Sequence, residues 1–297
     1  MPSRNRKACT REPPHKKRRP NREEPTEDDK PTEKQIPRTL DNTRVPEVSF
    51  LDPSDPSTAQ LDAIDEFADY FNGERPPNVL VTSTWRPSTD TRTFVEEFSQ
   101  LVNGSVYLRE NKTQTVKQVL SIAQDGDFTD LVIISEAKSL PYLFTHIHLP
   151  NGPTCVYKLT NYVPRKKVPH HGKPTSHAPE VIMNQFSTRL GHRVSRSLHS
   201  LFPLHQDPSG RQVVTFHNQR DYIFFRFFRY VFDFEVDAKG NAIMDVNAAK
   251  TRMQELGPQF TLKLQWLQRG LFDPVDGEFE FKRDTAPDYK NRRRFFL

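Results

Sequence analysis

GPTCVYKL, residues 152–159, returns as GPQFTLKL over residues 257–264. In each run a Gly-Pro pair, Gly152-Pro153 or Gly257-Pro258, precedes a stretch that closes on Lys158-Leu159 or Lys263-Leu264. Gly-Pro marks a turn, and proline cannot donate to a β-ladder, so each run reads as a strand entered from a turn. Val81-Thr82 and Val214-Thr215 precede the two runs in the same order. The pattern predicts two related halves; the alternative is two unrelated strands that share a Gly-Pro entry.

Working outward, strands and helices alternate. The sequence predicts a strand at 79–84, then a helical stripe of Phe94, Val95, Phe98, Leu101 and Val102 opened by the capping spacing of Thr93 and Glu96. A short strand at 105–109 precedes a helix with Val116, Val119, Leu120 and Ala123 on one face. The apolar run Leu131 to Ile134 reads as a central strand, followed by strands near 143–149 and 154–159. After a basic loop at 164–179, helices are expected at 179–190 and 193–202, then strands at 211–217, 222–236 and 259–269. This order implies an α/β sandwich with mixed sheets, in two lobes at about 77–163 and 179–291 followed by a basic C-terminal tail. Fifteen of the 22 phenylalanines lie beyond residue 185, so the second lobe has its own aromatic core.

The first quarter has a different texture. Residues 1–49 contain no aromatic side chain, and residues 1–56 read as a disordered tail, basic and then acidic, because so little apolar surface cannot offset the ordering entropy. Residues 1–22 carry 9 basic and 1 acidic side chains, residues 23–76 carry 5 and 15, and residues 77–297 carry 29 and 22. Alternating blocks of this kind suit a binder of polyanions better than a metabolic enzyme. Lys16, Lys17, Arg18 and Arg19 form a compact cluster, read either as a nuclear import signal doubling as an RNA-binding arm or as a solvated charge run. Residues 57–76 read as a short acidic helix and linker; its stripe of Leu61, Ile64, Ala68 and Phe71 either packs on the body or docks a partner protein through Leu61, Ile64 and Phe71. Two cysteines, Cys9 and Cys155, cannot build a disulfide framework, which points to a reducing compartment. No apolar run reaches the roughly 18 residues of a membrane helix, and no signal core follows the basic N-terminus, so no membrane association is expected.

Candidate contacts for an anionic ligand follow from charge and spacing. Arg189, His192, Arg193 and Arg196 recur at helical intervals opposite Val194, Leu198, Leu201 and Phe202, with almost no acid nearby in sequence. Such a stripe costs mutual repulsion unless an anion sits on it, and RNA backbone is the favoured candidate over bulk solvent. On the strand at 259–269, Phe260, Leu262, Leu264 and Trp266 point one way, while Thr261, Lys263, Gln265 and Arg269 point mostly the other, so Lys263 and Arg269 are phosphate candidates. Residues 211–230 interleave arginine with aromatics; the rings read mainly as core, while Arg211 and the polar corner Asn218, Gln219 and Arg220 are the better contacts. No phosphate loop, dinucleotide fingerprint, nucleophile elbow or zinc-protease motif occurs, and the histidines, His146 and His148 included, lack ligand-spaced partners. No enzyme, metal or cofactor is expected.

Several long stretches resemble the Brix-domain family of ribosome-assembly proteins. They are DFTDLVII at 127–134, HLPNGPT at 148–154, NQFSTRLGH at 184–192, GRQVVTFHNQRDYIFFRF at 210–227 and ELGPQFTLKL at 255–264. The likeness runs from Pro77 to Leu297. It implies a Brix domain of two similar anticodon-binding-like α/β lobes in a nucleolar, non-enzymatic factor that binds large-subunit precursor ribosomal RNA. It also implies a dedicated heterodimer partner, with other pre-60S assembly factors and ribosomal proteins as neighbours. By position it assigns function to Arg189, His192, Asn218 to Arg220 and Lys263. The last motif departs from the family pattern at Gln259, which replaces an arginine and removes one expected cation.

Overall fold

The structure is a computed structural model of the chain; it describes residues 36–40, 42–45, 49–51, 56–102, 105–108, 115–205, 207–233, 250–273, 276–283 and 294–297. The cluster Lys16 to Arg19 lies outside the described residues, as does most of the tail expected to be disordered over 1–56; its described part corrects that expectation, because Ser49 and Leu51 hydrogen-bond the backbone of Arg189 and Ser187, Phe50 bridges Thr188, and Arg44 donates to the Phe295 carbonyl at 3.1 Å.

The first half runs β1 (Val79–Ser83), α3 (Thr89–Leu101), β2 (Val106–Leu108), α4 (Val116–Asp125), β3 (Asp130–Ala137), β4 (Leu140–His148) and β5 (Thr154–Val163), after two short N-terminal helices, α1 (Pro56–Asp62) and α2 (Ala68–Phe71). The second half runs β6 (Glu180–Asn184), α5 (Arg189–His199), β7 (Gln212–Gln219), β8 (Tyr222–Asp233), β9 (Lys250–Glu255), β10 (Gln259–Gln268) and β11 (Phe279–Lys282). The eleven strands of the described residues join one sheet, in the order β2-β1-β3-β4-β5-β10-β8-β7-β6, with β9 on β8 and β11 on β10.

Each half repeats one scheme: a first strand, a helical crossover to a parallel neighbour, then antiparallel strands. In the first half β1 lies parallel to β3 on one side and to the extra strand β2 on the other, with β4 and β5 following antiparallel. In the second half β6 and β7 are parallel, with β8 and then β10 antiparallel. The two Gly-Pro runs therefore occupy equivalent strands, β5 and β10, which pair antiparallel with Lys158 directly opposite Lys263. Gly152 and Gly257 both take positive φ, +98° and +66°, which suits glycine at each turn. The Val-Thr markers do not correspond: Val81-Thr82 lies on the first strand of its half, and Val214-Thr215 on the second.

Local chemistry explains most elements. Ser88, not Thr93, caps α3, its hydroxyl accepting from the Thr91 amide, so the helix begins one turn earlier than its capping spacing predicts. Thr115 and Gln118 form a reciprocal capping box at the start of α4. The helix expected at 179–190 is instead strand β6, whose β-branched Val181 and Ile182 pair in parallel with Val214 and Thr215. Gly191 does not break α5, which is continuous; a Cβ there would come within 2.8 Å of the Leu297 backbone, so the glycine admits the C-terminal residues against the helix. On β10 the register shifts between Leu264 and Trp266, which sends Leu267 rather than Trp266 into the core.

The core on one face of the sheet joins both halves: Phe94 and Phe98 of α3 meet Phe260 of β10, which stacks on Phe225 of β8 at 4.2 Å between ring centres. On the opposite face of the first half, Val119 and Ala123 of α4 cover Leu80, Leu131, Ile133 and Ile147.

Candidate nucleic-acid interface

The cationic stripe of α5 comes first, because its sequence neighbourhood is almost free of acid. In the fold the acids arrive from the N-terminal segment. Arg196 reaches Asp65 with Nε at 2.6 Å and Nη2 at 2.7 Å, and donates to the Asp62 carbonyl at 3.0 Å. Arg193 donates from Nη1 and Nη2 to the two Glu66 oxygens at 3.0 and 3.1 Å, and from Nη2 to Glu280 of β11 at 2.9 Å. His192 faces the Asp62 carboxylate at 2.9 Å. Phe71 lies beneath Arg196, 4.1 Å from ring centre to guanidinium carbon. Three of the four stripe residues are thus matched within the chain. The premise that an external anion must relieve their repulsion is corrected, because Asp62, Asp65 and Glu66 already do so. Only Arg189 stays exposed with no carboxylate within 4.0 Å among the described residues.

The acidic helix itself is also reorganised. It divides into α1 and α2, and its anchors are Phe67 and Tyr70, both buried, rather than the expected stripe. The Tyr70 hydroxyl donates to the Phe202 carbonyl at 2.7 Å and lies 2.9 Å from Nδ1 of His199. Leu61 and Ile64 face outward, 51% and 83% exposed, while Phe71 is half-buried against Arg196 and His199. Packing on acids and aromatics leaves these two aliphatic side chains without a covering surface among the described residues.

Beneath this segment lies a buried polar network. Asp130 of β3 receives His146 Nε2 at 2.8 Å and His148 Nδ1 at 2.7 Å, both histidines standing on β4. The second nitrogen of His148 lies 3.1 Å from the Glu66 carbonyl. A carboxylate and a carbonyl only accept, so both bonds are made together only when each ring nitrogen carries a proton, which favours the imidazolium form of His148. Burial works against that charge, but the Asp130 hydrogen bond and charge outweigh it and raise the His148 pKa above its ordinary value. Burial likewise pushes the Asp130 carboxyl up, yet the two histidine hydrogen bonds hold it well below the usual carboxylate range.

His146 also bonds Ser197 of α5 through Nδ1 at 2.8 Å, so Ser197, His146 and Asp130 stand in the order of a hydrolase triad. Ser197 and His146 are 1% and 0% exposed, and the Ser197 hydroxyl is further packed 3.4 Å from Cys155 Sγ, so no substrate carbonyl can approach it. The constellation pins α5 to the first half of the sheet. Among the described residues no three histidine, cysteine or carboxylate side chains group as metal ligands, and no helix is long and apolar enough to cross a membrane.

The remaining predicted contacts separate by accessibility. Asn218 is 4% exposed and its amide donates to the Gln185 carbonyl at 2.9 Å, tying β7 to the end of β6 and placing it out of a ligand's reach. Gln219 and Arg220 are exposed at the β7–β8 corner, and Arg211 is exposed at the other end of β7. Arg269 is exposed and lies 3.6 Å from Glu278. Gln259 donates to Glu255 at 2.8 Å, so this side chain, where the family pattern has a cation, serves a local carboxylate. Lys263 rests over the Tyr222 ring at 4.4 Å and donates to its hydroxyl at 3.1 Å.

Lys158 was missed from the sequence, although the GPxxxxKL repeat marks it as clearly as Lys263. Both lysines lie on the sheet face opposite the aromatic core, and neither has a carboxylate within 4.0 Å among the described residues. In the second half no described helix covers that face.

A sequence model described as the Brix domain matches residues 85–266. Among curated proteins, the chain is 43% identical over 271 residues to Ribosome production factor 1 of Pongo abelii, covering 91% of this chain and 73% of that protein. It is 36% identical over 284 residues to Ribosome production factor 1 of Saccharomyces cerevisiae, covering 95% and 88%. Among solved structures, a probable ribosomal biogenesis protein from Aeropyrum pernix K1 overlays with a TM-score of 0.45 at 13% identity, covering 63% of this chain and 96% of that one.

Proposed function

The chain belongs to the Brix-domain family, and from that membership we propose a non-enzymatic ribosome-biogenesis factor that binds precursor ribosomal RNA of the large subunit in the nucleolus. The relatives it matches over most of its length carry the name Ribosome production factor 1, which supports the assembly role. One observation carries the RNA reading: exposed Arg189 and Arg211 and the sheet lysine Lys263 have no carboxylate within 4.0 Å among the described residues, whereas α5 has its charges matched. Unmatched cations on a rigid scaffold release counterions when phosphates replace them, and this supplies salt-dependent affinity. Gln219, Arg220 and Arg269 are further exposed polar candidates, and the sequence adds the cations Lys16 to Arg19.

A second reading has its own observation. Leu61 and Ile64 stand exposed beside Leu51 along a groove that also includes Thr58 and Arg189, where a dedicated protein partner would bury them. On that reading the chain is an adaptor, and RNA contacts come mainly from the tail and the partner.

In-cell crosslinking of the full chain to RNA, with nucleotides and peptides both mapped, tests these readings. Crosslinks in large-subunit precursor RNA on peptides from residues 186–220 or 259–269 are expected. Crosslinked peptides confined to residues 1–22 would favour the adaptor, and no ribosomal RNA among the crosslinks would overturn the assignment.

A further inference from the structure

On the face of the second half that no described helix covers, sheet register arranges side chains in rows. One row runs Lys158 on β5, Lys263 on β10, Tyr222 on β8 and Gln219 on β7. The next runs Thr160, Thr261, Phe224, His217 and Asn184. Neither row contains an acid. Directly opposed residues hold their Cβ atoms about 4.5–5.5 Å apart, and like charges so placed destabilise a sheet. Lys158 and Lys263 therefore make an unfavourable like-charge pair that no carboxylate within 4.0 Å compensates among the described residues. What accompanies them is aromatic: Lys158 lies over Tyr142 at 5.3 Å and Lys263 over Tyr222 at 4.4 Å, with the two rings 40% and 41% exposed.

We propose that this face binds single-stranded RNA, one backbone phosphate bridging Lys158 and Lys263 while unpaired bases stack on Tyr222 and Phe224. The inference rests on the RNA reading above and assigns it a surface and a strand state. A phosphate between two ammonium groups turns their repulsion into two charge-assisted hydrogen bonds. The exposed Tyr222 ring and the half-buried Phe224 ring beside it offer π-faces to bases already unstacked, whereas a duplex keeps its bases inside and offers the rings nothing. The neighbouring Arg226 is less available, because Glu255 lies 3.7 Å from it.

The test uses the full chain and fluorescence anisotropy with a labelled 12-nucleotide single-stranded RNA and the duplex of the same sequence. Lys158→Ala with Lys263→Ala should weaken single-strand binding at least tenfold and reduce the salt slope by about 0.7, the value for one single-strand phosphate no longer neutralised. Tyr222→Ala should weaken it about tenfold, and Lys158→Arg with Lys263→Arg should retain it. The doubly alanine-substituted chain should melt no lower than the parent, because a repulsion has been removed; a lower melting temperature would contradict an uncompensated pair. Equal affinity for duplex and single strand, or unchanged binding in both the double variant and Tyr222→Ala, would overturn the proposal while leaving RNA binding itself intact. Loss of protein-partner capture by these variants with unchanged RNA affinity would assign the face to protein instead. Failure of the parent chain to bind either RNA at low salt would overturn the RNA reading as a whole.

Discussion

Arg196 and Asp65, 131 positions apart in sequence, meet through two guanidinium nitrogens at 2.6 and 2.7 Å, with both side chains close to nine-tenths buried. Their pairing converts an acidic linker and a basic helix into one packed unit. Removing Asp65 leaves the buried guanidinium with only the more distant Asp62 carboxylate, 3.6 Å away, to offset its charge, which costs more than the pair contributes against bulk water. Asp65→Ala should therefore destabilise the chain by about 3 kcal/mol, read by urea denaturation, and should speed amide exchange across residues 62–70. An effect below about 0.5 kcal/mol, the size of an exposed pair, would show that the segment does not need this contact.

The imidazolium of His148 ties Glu66 of the same segment to Asp130 of the sheet. A pKa raised in the folded state makes a stabilising contribution that is complete below the unfolded value near 6.5 and is lost as pH rises through the folded value. Asp130 works at the other end: its folded pKa lies below 3.8, so its contribution is present above that value and is lost as pH falls through the depressed one. Melting temperature should decline above pH 6.5 in the parent, and His148→Gln should flatten that limb while lowering the plateau. A decline of equal steepness in His148→Gln would exclude this histidine as its source.

Gly152 and Gly257 open equivalent strands but differ in surroundings. A Cβ on Gly152 would lie 2.3 Å from the Gly270 carbonyl oxygen, whereas one on Gly257 would meet Arg165 Cα at 3.1 Å. Positive φ penalises alanine at both, and the backbone collision adds to it only at Gly152. Gly152→Ala should cost about 2–3 kcal/mol or more and exceed Gly257→Ala in paired denaturation curves. The reverse ranking would mean that the loop at Gly270 yields readily.

Cys155 is fully buried beside Ser197, and burial pushes its thiol up to about 11. With Cys9 replaced by serine, iodoacetamide at pH 8 should label the native chain negligibly and the urea-unfolded chain fully, as mass spectrometry would read. Rapid labelling of the native form would reveal an opening of the α5 contact with β5.

Most of the fold was legible because its signals are local. Strand periodicity identified β1, β3, β5, β7 and β10, and the apolar stripes of α3 and α4 lie on the faces they bury. The Gly-Pro repeat correctly related β5 to β10, since each turn and each alternation is written within eight residues. Local signals failed where pairing decided the outcome. The stretch from Glu180 to Asn184 is short enough to suit either period, and its parallel partner β7 makes it a strand. Strands β9 and β11 carry little pattern of their own and exist as ladders on β8 and β10.

The candidate site divides along the same line. Residue type and spacing nominate Arg189, Arg211 and Lys263 as candidates, because a cation needs nothing but its own side chain to be recognised as one. Whether a cation is free or spent is a property of the pair, and charges interact through space rather than along the chain. Only the folded structure brought Asp62, Asp65 and Glu66 onto α5 and so withdrew His192, Arg193 and Arg196 into the scaffold. Only sheet register set Lys158 against Lys263, a juxtaposition that requires two strands to run antiparallel with their turns in step.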